Sequence, residues 1–295
     1  MANLKELRVR IASVNSTRQI TSAMKMVSAA KLRRAQDAII QLRPYASKLN
    51  DILNSINENI GESNDNIYGK FRPVNRVLLV VITSNKGLCG AFNSNVIKKS
   101  LQIIFEKFPG YQEKGKLDII TIGKKAYDFF RTRGFNVVKN YSHLYEKLNF
   151  ENASPIAQEV MDGFANKNYD QVILVYNQFK NAAVQLLSEE QFLPVKKQKK
   201  DESKSFAHHF DFLYEPSQEF MVKELVPRSL KIQFYKALLD SHASEHGARM
   251  TAMHKATDNA TELIKDLNLT FNKARQSAIT NEILEIVGGA NALKK

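Results

Sequence analysis

Apolar residues recur in steps of three and four along the start of the chain, the spacing of a coiled-coil helix. We assign residues 1–58 to an N-terminal coiled-coil helix, because they contain no glycine and one proline, Pro44. A kink is expected there, since proline has no N–H to donate to the Ile40 carbonyl. The apolar positions are Leu4, Leu7, Ile11, Val14, Leu32, Ala35, Ile39, Leu42, Ala46, Leu49, Leu53 and Ile56.

The middle of the chain follows a different pattern. Residues 59–75 contain two glycines, a proline and several asparagines, which is typical of a linker. In residues 76–210 short β-rich runs alternate with helical stretches, which predicts an α/β domain with a largely parallel sheet. The predicted strands are 76–84, 116–123, 171–179 and an edge strand at 182–190, the predicted helices are 91–108, 124–133 and 153–167, and 196–204 is a charged loop.

A second long coiled-coil helix is predicted within residues 211–295. Pro216 suits its first turn, Pro227 marks a bend, and Gly288 and Gly289 are expected to end it. The apolar steps of three and four include one extra four, a stutter that relaxes left-handed supercoiling. These positions are Met253, Ala256, Ala260, Ile264, Leu267, Phe271, Ala274 and Ala278. Two such helices at opposite ends of a chain can pair as an antiparallel coiled coil.

The seam of the first helix turns polar for about three turns and then resumes in register. An apolar stripe persists there one residue out of frame, which is about 100° of rotation on a helix. We interpret this as a seam whose apolar face swings round where the two helices change their packing. The polar positions are Arg18, Thr21, Lys25 and Ser28, and the displaced stripe is Ile20, Met24 and Val27.

Charge and cysteine content narrow the function classes. The 295 residues carry a formal net charge of +13, which implies an acidic partner such as nucleic acid, anionic lipid or an acidic protein surface. A single cysteine, Cys89, excludes a disulfide framework and most cysteine-based metal sites. No run of 18 apolar residues and no signal peptide is present, so we expect membrane association only through partners, without direct insertion.

One zinc-like motif lies in the second long helix. His242, Glu245 and His246 have the H-x-x-E-H spacing of a zinc peptidase class, with both imidazoles on one helical face. A third ligand is missing, because Asp258 lies roughly 18 Å further along the helix. Another histidine pair, His208 and His209, is adjacent in sequence and points in two directions. We therefore expect a polar stripe at residues 242–246 and no metal.

The segment SNKGLCGAFNSN (84–95) follows a strand and precedes a helix, where nucleotide-binding folds place phosphate loops. It matches neither glycine-rich phosphate motif, so we expect Gly87 and Gly90 to form a tight turn. Cys89 has no evident histidine partner for a nucleophilic role. We therefore expect no cofactor and no catalytic site in this chain.

Several longer segments resemble the gamma subunit of F-type ATP synthases, over essentially the whole chain. They are ITSAMKMVSAAKLRRAQ (20–36), SNKGLCGAFN (84–93), LYEP (213–216), ARMTAMHKATDNATELIKDL (248–267) and NKARQSAITNEILEIVGGA (272–290). The resemblance implies an antiparallel coiled coil of the terminal helices with a Rossmann-like α/β domain at its base that binds no nucleotide. A regulatory cysteine insert of the chloroplast form is lacking, so thiol switching is not expected.

The resemblance also implies a function without catalysis by the chain itself. Such a subunit is the rotor shaft inside a ring of three alpha and three beta subunits. It stands with the epsilon subunit on the membrane rotor ring of c subunits, and couples ion-driven rotation to the catalytic cycle of beta. Without a transit sequence the chain resembles the bacterial type, expected as a peripheral protein on the cytoplasmic face of the inner membrane.

Two groups of coupling residues follow from the resemblance. Residues that match segments facing the stator ring are Met24, Lys25, Arg249, Arg275, Gln276, Thr280 and Glu282. Residues that match the foot on the rotor ring are Phe212, Tyr214 and Glu215. In this setting the polar break of the first helix is interpreted as the surface where the shaft meets its housing.

Two other functions remain compatible with the residues alone. An enzyme could use the α/β domain for a nucleotide, and would then bind it measurably as an isolated chain. A basic coiled-coil protein could instead bind nucleic acid, with an affinity that falls steeply with salt. Ten Lys and Arg against three Asp and Glu in the first 57 residues favour an acidic partner without choosing between these classes.

Overall fold

The structure is a computed structural model that describes residues 4–59, 67–195 and 218–292. The predicted charged loop at 196–204, Pro216 and the predicted foot residues Phe212, Tyr214 and Glu215 lie outside these ranges. Two compact units are present. One holds the described residues up to Ala29 and from Arg249 onward, and the other holds those from Ala30 to Ala248.

Two long helices and a central sheet make up the fold. The helices are α1 (Leu4–Asn59), α2 (Phe92–Lys107), α3 (Lys124–Thr132), α4 (Phe150–Ala165) and α5 (Gln218–Ala292). The strands are β1 (Val77–Ile82), β2 (Leu117–Ile122), β3 (Val137–Asn140), β4 (Gln171–Phe179) and β5 (Gln185–Leu193). Within these described elements, no helix is long and apolar enough to cross a membrane.

In the first unit, α1 and α5 run antiparallel. The guanidinium of Arg8 lies 5.7 Å from the centre of the Phe271 ring, and the Thr21 and Thr257 hydroxyl oxygens are 2.9 Å apart. Rising residue numbers on α1 therefore meet falling numbers on α5, which confirms the predicted antiparallel coiled coil. The buried apolar side chains of this pair are Leu7, Met253, Ala260 and Leu267.

The end of α5 corrects one expectation. Gly288 and Gly289 do not terminate the helix, which continues to Ala292. Neither glycine adopts a positive φ, and a Cβ at either position would meet nothing within 4 Å. Glycine costs about 1 kcal/mol relative to alanine inside a helix, which does not by itself stop one. The prolines Pro44 and Pro227 likewise lie inside α1 and α5.

The second unit contains a five-stranded sheet in the order β3–β2–β1–β4–β5. Strands β1 to β4 run parallel to one another, and β5 pairs antiparallel with β4 at the edge. This confirms the largely parallel sheet. Strand β3 was not predicted, because its four residues VVKN are half-buried or exposed and lack the apolar run of the central strands.

Alternate residues of β1 face two separate hydrophobic clusters, which explains why the whole strand is apolar. Leu78, Val80 and Ile82 pack with side chains of α4 and of the α5 segment 226–238. Val77, Leu79 and Val81 pack with side chains of α2 and α3. Part of the second long helix therefore serves as one of the layers that cover the sheet.

Residues 67–75, in the predicted linker, are held on the sheet domain by Arg72. Its Nη2 donates to the carbonyl oxygens of Phe164 at 2.8 Å and Tyr169 at 3.2 Å. Its guanidinium also lies over the Phe164 ring at 4.4 Å. The Val195 amide in turn donates to the Tyr68 carbonyl. The chain is thus fixed to the domain before β1 begins.

Gly123 follows β2 and lies close to Thr83, which follows β1. A substitution of this glycine tests how closely the ends of the two strands approach each other. We expect Gly123→Ala to lower the free energy of unfolding by more than about 4 kcal/mol, because its Cβ would overlap the Thr83 carbonyl oxygen. Gly134→Ala is the matched control, since Gly134 also has a positive φ but open space around it. Its cost should be about 1–2 kcal/mol. Equal losses for both variants in urea unfolding would contradict the close approach.

Candidate functional site

The polar line of α1 remains on the side that faces α5, which corrects the predicted swing of the seam. Thr21 and Ser28 are buried, whereas Ile20 and Val27 of the displaced apolar stripe are 57% and 58% exposed. Met24 is half-buried. The helices therefore keep their register through the polar stretch, and the apolar stripe faces outward, where another protein could contact it.

Hydroxyl groups form the contact between the helices at this level. The Thr21 hydroxyl donates to the Arg18 carbonyl at 3.0 Å, and its oxygen accepts from Thr257 at 2.9 Å. Ser28 donates to the Met24 carbonyl at 2.7 Å. Each buried hydroxyl therefore has a partner, so the polar line does not leave polar groups unsatisfied in the seam.

A charged group follows one turn along the same contact. The Lys25 Nζ lies 3.4 Å from Nδ1 of His254 on α5. Nδ1 of His254 also lies 3.2 Å from Oδ2 of Asp258. This arrangement brings Lys25, one of the predicted coupling residues, against the opposite helix rather than leaving it wholly in solvent.

An open groove runs beside this contact on the surface of the helix pair. Its volume is about 410 Å³, and α1 contributes most of its lining. The lining residues are Arg18, Gln19, Ser22, Ala23, Met26, Thr257 and Thr261. The lining thus combines long polar side chains, small residues and one exposed methionine.

The last part of α5 has no described α1 residue opposite it. Arg8 pairs with Phe271, so Leu4, four residues earlier, falls opposite Arg275. Beyond that point every described side chain except the half-buried Ala278 is exposed. Exposed apolar residues in this stretch are Ile279, Ile283, Leu284, Ile286 and Val287. A row of apolar side chains of this length marks an interaction surface.

The predicted coupling residues of this stretch share its exposure. Arg275, Gln276, Thr280 and Glu282 are all exposed, and the Thr280 hydroxyl donates to the Gln276 carbonyl at 2.9 Å. Arg249 differs, because it is 7% exposed. A role for Arg249 in coupling would therefore act by holding α5 in place and not by direct contact with a stator surface.

The histidine motif lies in the second unit, where His246 is buried and His242 is half-buried, so the expected polar stripe is present but is mostly buried. Nε2 of His242 and Nε2 of His246 are 3.1 Å apart, with their rings perpendicular. The Tyr145 ring stacks on His242, and Glu245 is also buried. In the same segment Gly247 approaches the Ala182 backbone closely, since a Cβ at this position would lie 3.2 Å from the Ala182 carbonyl oxygen. In the described part of the chain, no three His, Cys, Asp or Glu side chains are placed to hold a metal.

The strand-to-helix turn after β1 uses its polar groups internally. The Ser84 amide donates to Oδ1 of Asn93 at 2.9 Å, and Nδ2 of Asn93 donates to the Ser84 hydroxyl at 2.8 Å. Gly87 and Gly90 both lie in this short connection between β1 and α2, where Gly90 and Leu88 adopt positive φ values of 58° and 62°. Cys89 is buried beside this network.

The sequence matches the family model described as ATP synthase over residues 3–293. ATP synthase gamma chains of Christiangramia forsetii and Cytophaga hutchinsonii are 55% and 53% identical to it over 293 residues, covering 99% of each chain. A chain from the central stalk and c-ring of Tetrahymena thermophila mitochondrial ATP synthase is 25% identical, with a TM-score of 0.57 over 80% of this chain and 99% of that one. A chain from Euglena gracilis mitochondrial ATP synthase has a similar fold, with 21% identity and a TM-score of 0.68 over 98% and 94%.

The hydroxyl contact between the helices predicts a measurable coupling energy. In a double-mutant cycle of Thr21→Val and Thr257→Val, we expect about 0.5–1.5 kcal/mol of coupling in the free energy of unfolding. Thr261→Val with Thr21→Val is the control, because the Thr261 hydroxyl donates to the Thr257 carbonyl on its own helix. A coupling for the first pair no larger than for the control would show that the hydroxyls do not join the helices.

Proposed function

The chain belongs to the ATP synthase gamma chain family. We propose which of its surfaces contact the stator and which contact the rotor ring. As a gamma chain it is a subunit of a membrane-associated enzyme complex. Its function is to couple ion-driven rotation of the membrane ring to the conformational cycle of the catalytic beta subunits. We place no catalytic step on the chain itself.

The exposed apolar end of α5 is the observation that carries the proposal for the stator side. Water is an unfavourable environment for such a row, and α1 has no described residue left to cover it. We place this end inside the ring of three alpha and three beta subunits. Arg275, Gln276, Thr280 and Glu282 then face the inner wall of the ring, and Met24 and Lys25 face the lower part of beta.

A second surface of the chain is proposed to meet the rotor ring. Here the support is the resemblance of the LYEP segment, through Phe212, Tyr214 and Glu215, to the foot of other gamma subunits. We propose the epsilon subunit and the ring of c subunits as partners on this side. The corresponding division is a helix over 1–58, a linker over 59–75, an α/β domain over 76–210 and a helix over 211–295.

The location follows from the family and from its bacterial members. The two relatives with the identities given above, from Christiangramia forsetii and Cytophaga hutchinsonii, are bacterial. We propose a peripheral position on the cytoplasmic face of the bacterial inner membrane, held there by the rotor ring.

The assembled complex provides the test. We expect this chain to enter a ring of three alpha and three beta subunits when it is co-expressed with alpha, beta, epsilon and c subunits. In that complex we expect Met24→Lys to preserve ATP hydrolysis while weakening ATP-driven ion transport. The added ammonium lies next to Lys25 and strengthens attraction to acidic stator groups during each rotation. Hydrolysis and vesicle acidification are measured on the same inverted membranes.

Met24→Leu is the control for this experiment, because it keeps an apolar side chain of similar volume and should leave coupling unchanged. Equal coupling in Met24→Lys and the parent would contradict the placement of this segment against the stator. Failure of the parent chain to enter the ring would overturn the shaft proposal itself.

A further inference from the structure

One ring nitrogen of His254 faces two charged groups, of which one needs a hydrogen-bond acceptor and the other a hydrogen-bond donor. Nδ1 lies 3.4 Å from the Lys25 ammonium on α1 and 3.2 Å from the Asp258 carboxylate one turn further along α5. Among the described residues these two charged groups contact the ring, one from each helix of the pair. Both the His254 and Asp258 side chains are more than half exposed, so protons reach them freely.

The protonation state of the ring decides which of the two contacts is a hydrogen bond. An ammonium only donates and an ionised carboxylate only accepts. A neutral imidazole with its proton on Nε2 offers a lone pair at Nδ1, which accepts from Lys25. A protonated imidazole carries a proton at Nδ1, which is donated to Asp258, and its positive charge then repels Lys25. Nδ1 cannot serve both neighbours in the same state.

We propose that His254 is a proton-operated switch between the two helices. When neutral, it ties α5 to α1 through Lys25. When protonated, it pairs with Asp258 on its own helix and releases Lys25 from the helix pair.

The neighbouring contact explains why the switch moves a side chain without separating the helices. Thr257 is three residues from His254, and Thr21 is four residues from Lys25, so the hydroxyl contact lies in the adjacent layer. Hydroxyl groups do not titrate between pH 5 and 9. The helices therefore stay joined there while Lys25 changes partner.

The consequence for coupling rests on the proposed function. Lys25 belongs to the segment that we place against the beta subunits, so its released ammonium becomes available to acidic groups of the stator. Acidification thus transfers a positive charge from the helix pair to the shaft–stator contact. The result is a stronger grip of the stator on the shaft at low pH.

The switch is tested on the full chain by NMR. Lysines are labelled by reductive ¹³C-dimethylation, which keeps their charge, and the Lys25 signal is identified by its loss in Lys25→Arg. We expect this signal to move between pH 5.5 and 8 in the parent and to lose that movement in His254→Gln. At pH 8.5, ¹⁵N shifts should place the ring proton on Nε2. A proton on Nδ1, or the same Lys25 movement in both chains, would overturn the switch.

The effect of the His254 switch on coupling is tested in the assembled complex. We expect the ratio of ATP hydrolysis rates at pH 6 and pH 8 to differ about two-fold between the parent and His254→Gln, the size of one partly exposed charge contact. Identical ratios would overturn the link to coupling, although the NMR result for the chain would stand. Failure of both chains to assemble would instead overturn the shaft proposal, which separates the two hypotheses.

Discussion

The rest of the structure depends on one constraint, which is that the second long helix extends beyond the described part of the first. Helix α5 has 75 residues, and the first described residue of α1 falls opposite Arg275, well before α5 ends. An isolated helix end with a row of apolar residues is poorly stabilised in water. We propose that a surrounding ring of subunits supplies the missing contacts. The helix pair is complete only as part of a larger assembly.

Transmission of work explains the chemistry of the contact between the helices. One charge crossing 100 mV is worth about 2.3 kcal/mol, so several charges per step deliver on the order of ten kcal/mol. This rivals the stability of a whole domain, about 5–15 kcal/mol, so the load has to be spread over many contacts. Around Thr21 and Thr257 the contact consists of short, satisfied hydroxyls. Larger apolar and charged side chains are thereby left for the outer surface, which we propose faces the stator.

The sequence predicted the elements with strong periodicity and failed where tertiary context decides. The apolar steps in α1 and the run VLLVVI in β1 were sufficient to predict a long helix and a buried strand. The short strand β3 and the burial of Glu245 and His246 depend on neighbouring layers that no local pattern records. The line through Thr21 and Ser28 was misjudged because hydroxyls bonded to their own helix can replace apolar residues in a seam. The coupling residues came from family resemblance alone, since no local chemistry distinguishes them.

Direct observation of rotation tests the central claim that this chain is the turning element. A gold nanorod attached through Lys114→Cys, an exposed position on the α/β domain, would report the angle of the chain in an immobilised ring of alpha and beta subunits. If the chain is the turning element, the nanorod rotates in one direction on addition of ATP. It does so in three steps per turn, because the ring holds three catalytic subunits. ATP hydrolysis by the assembled ring without rotation of the nanorod would contradict it.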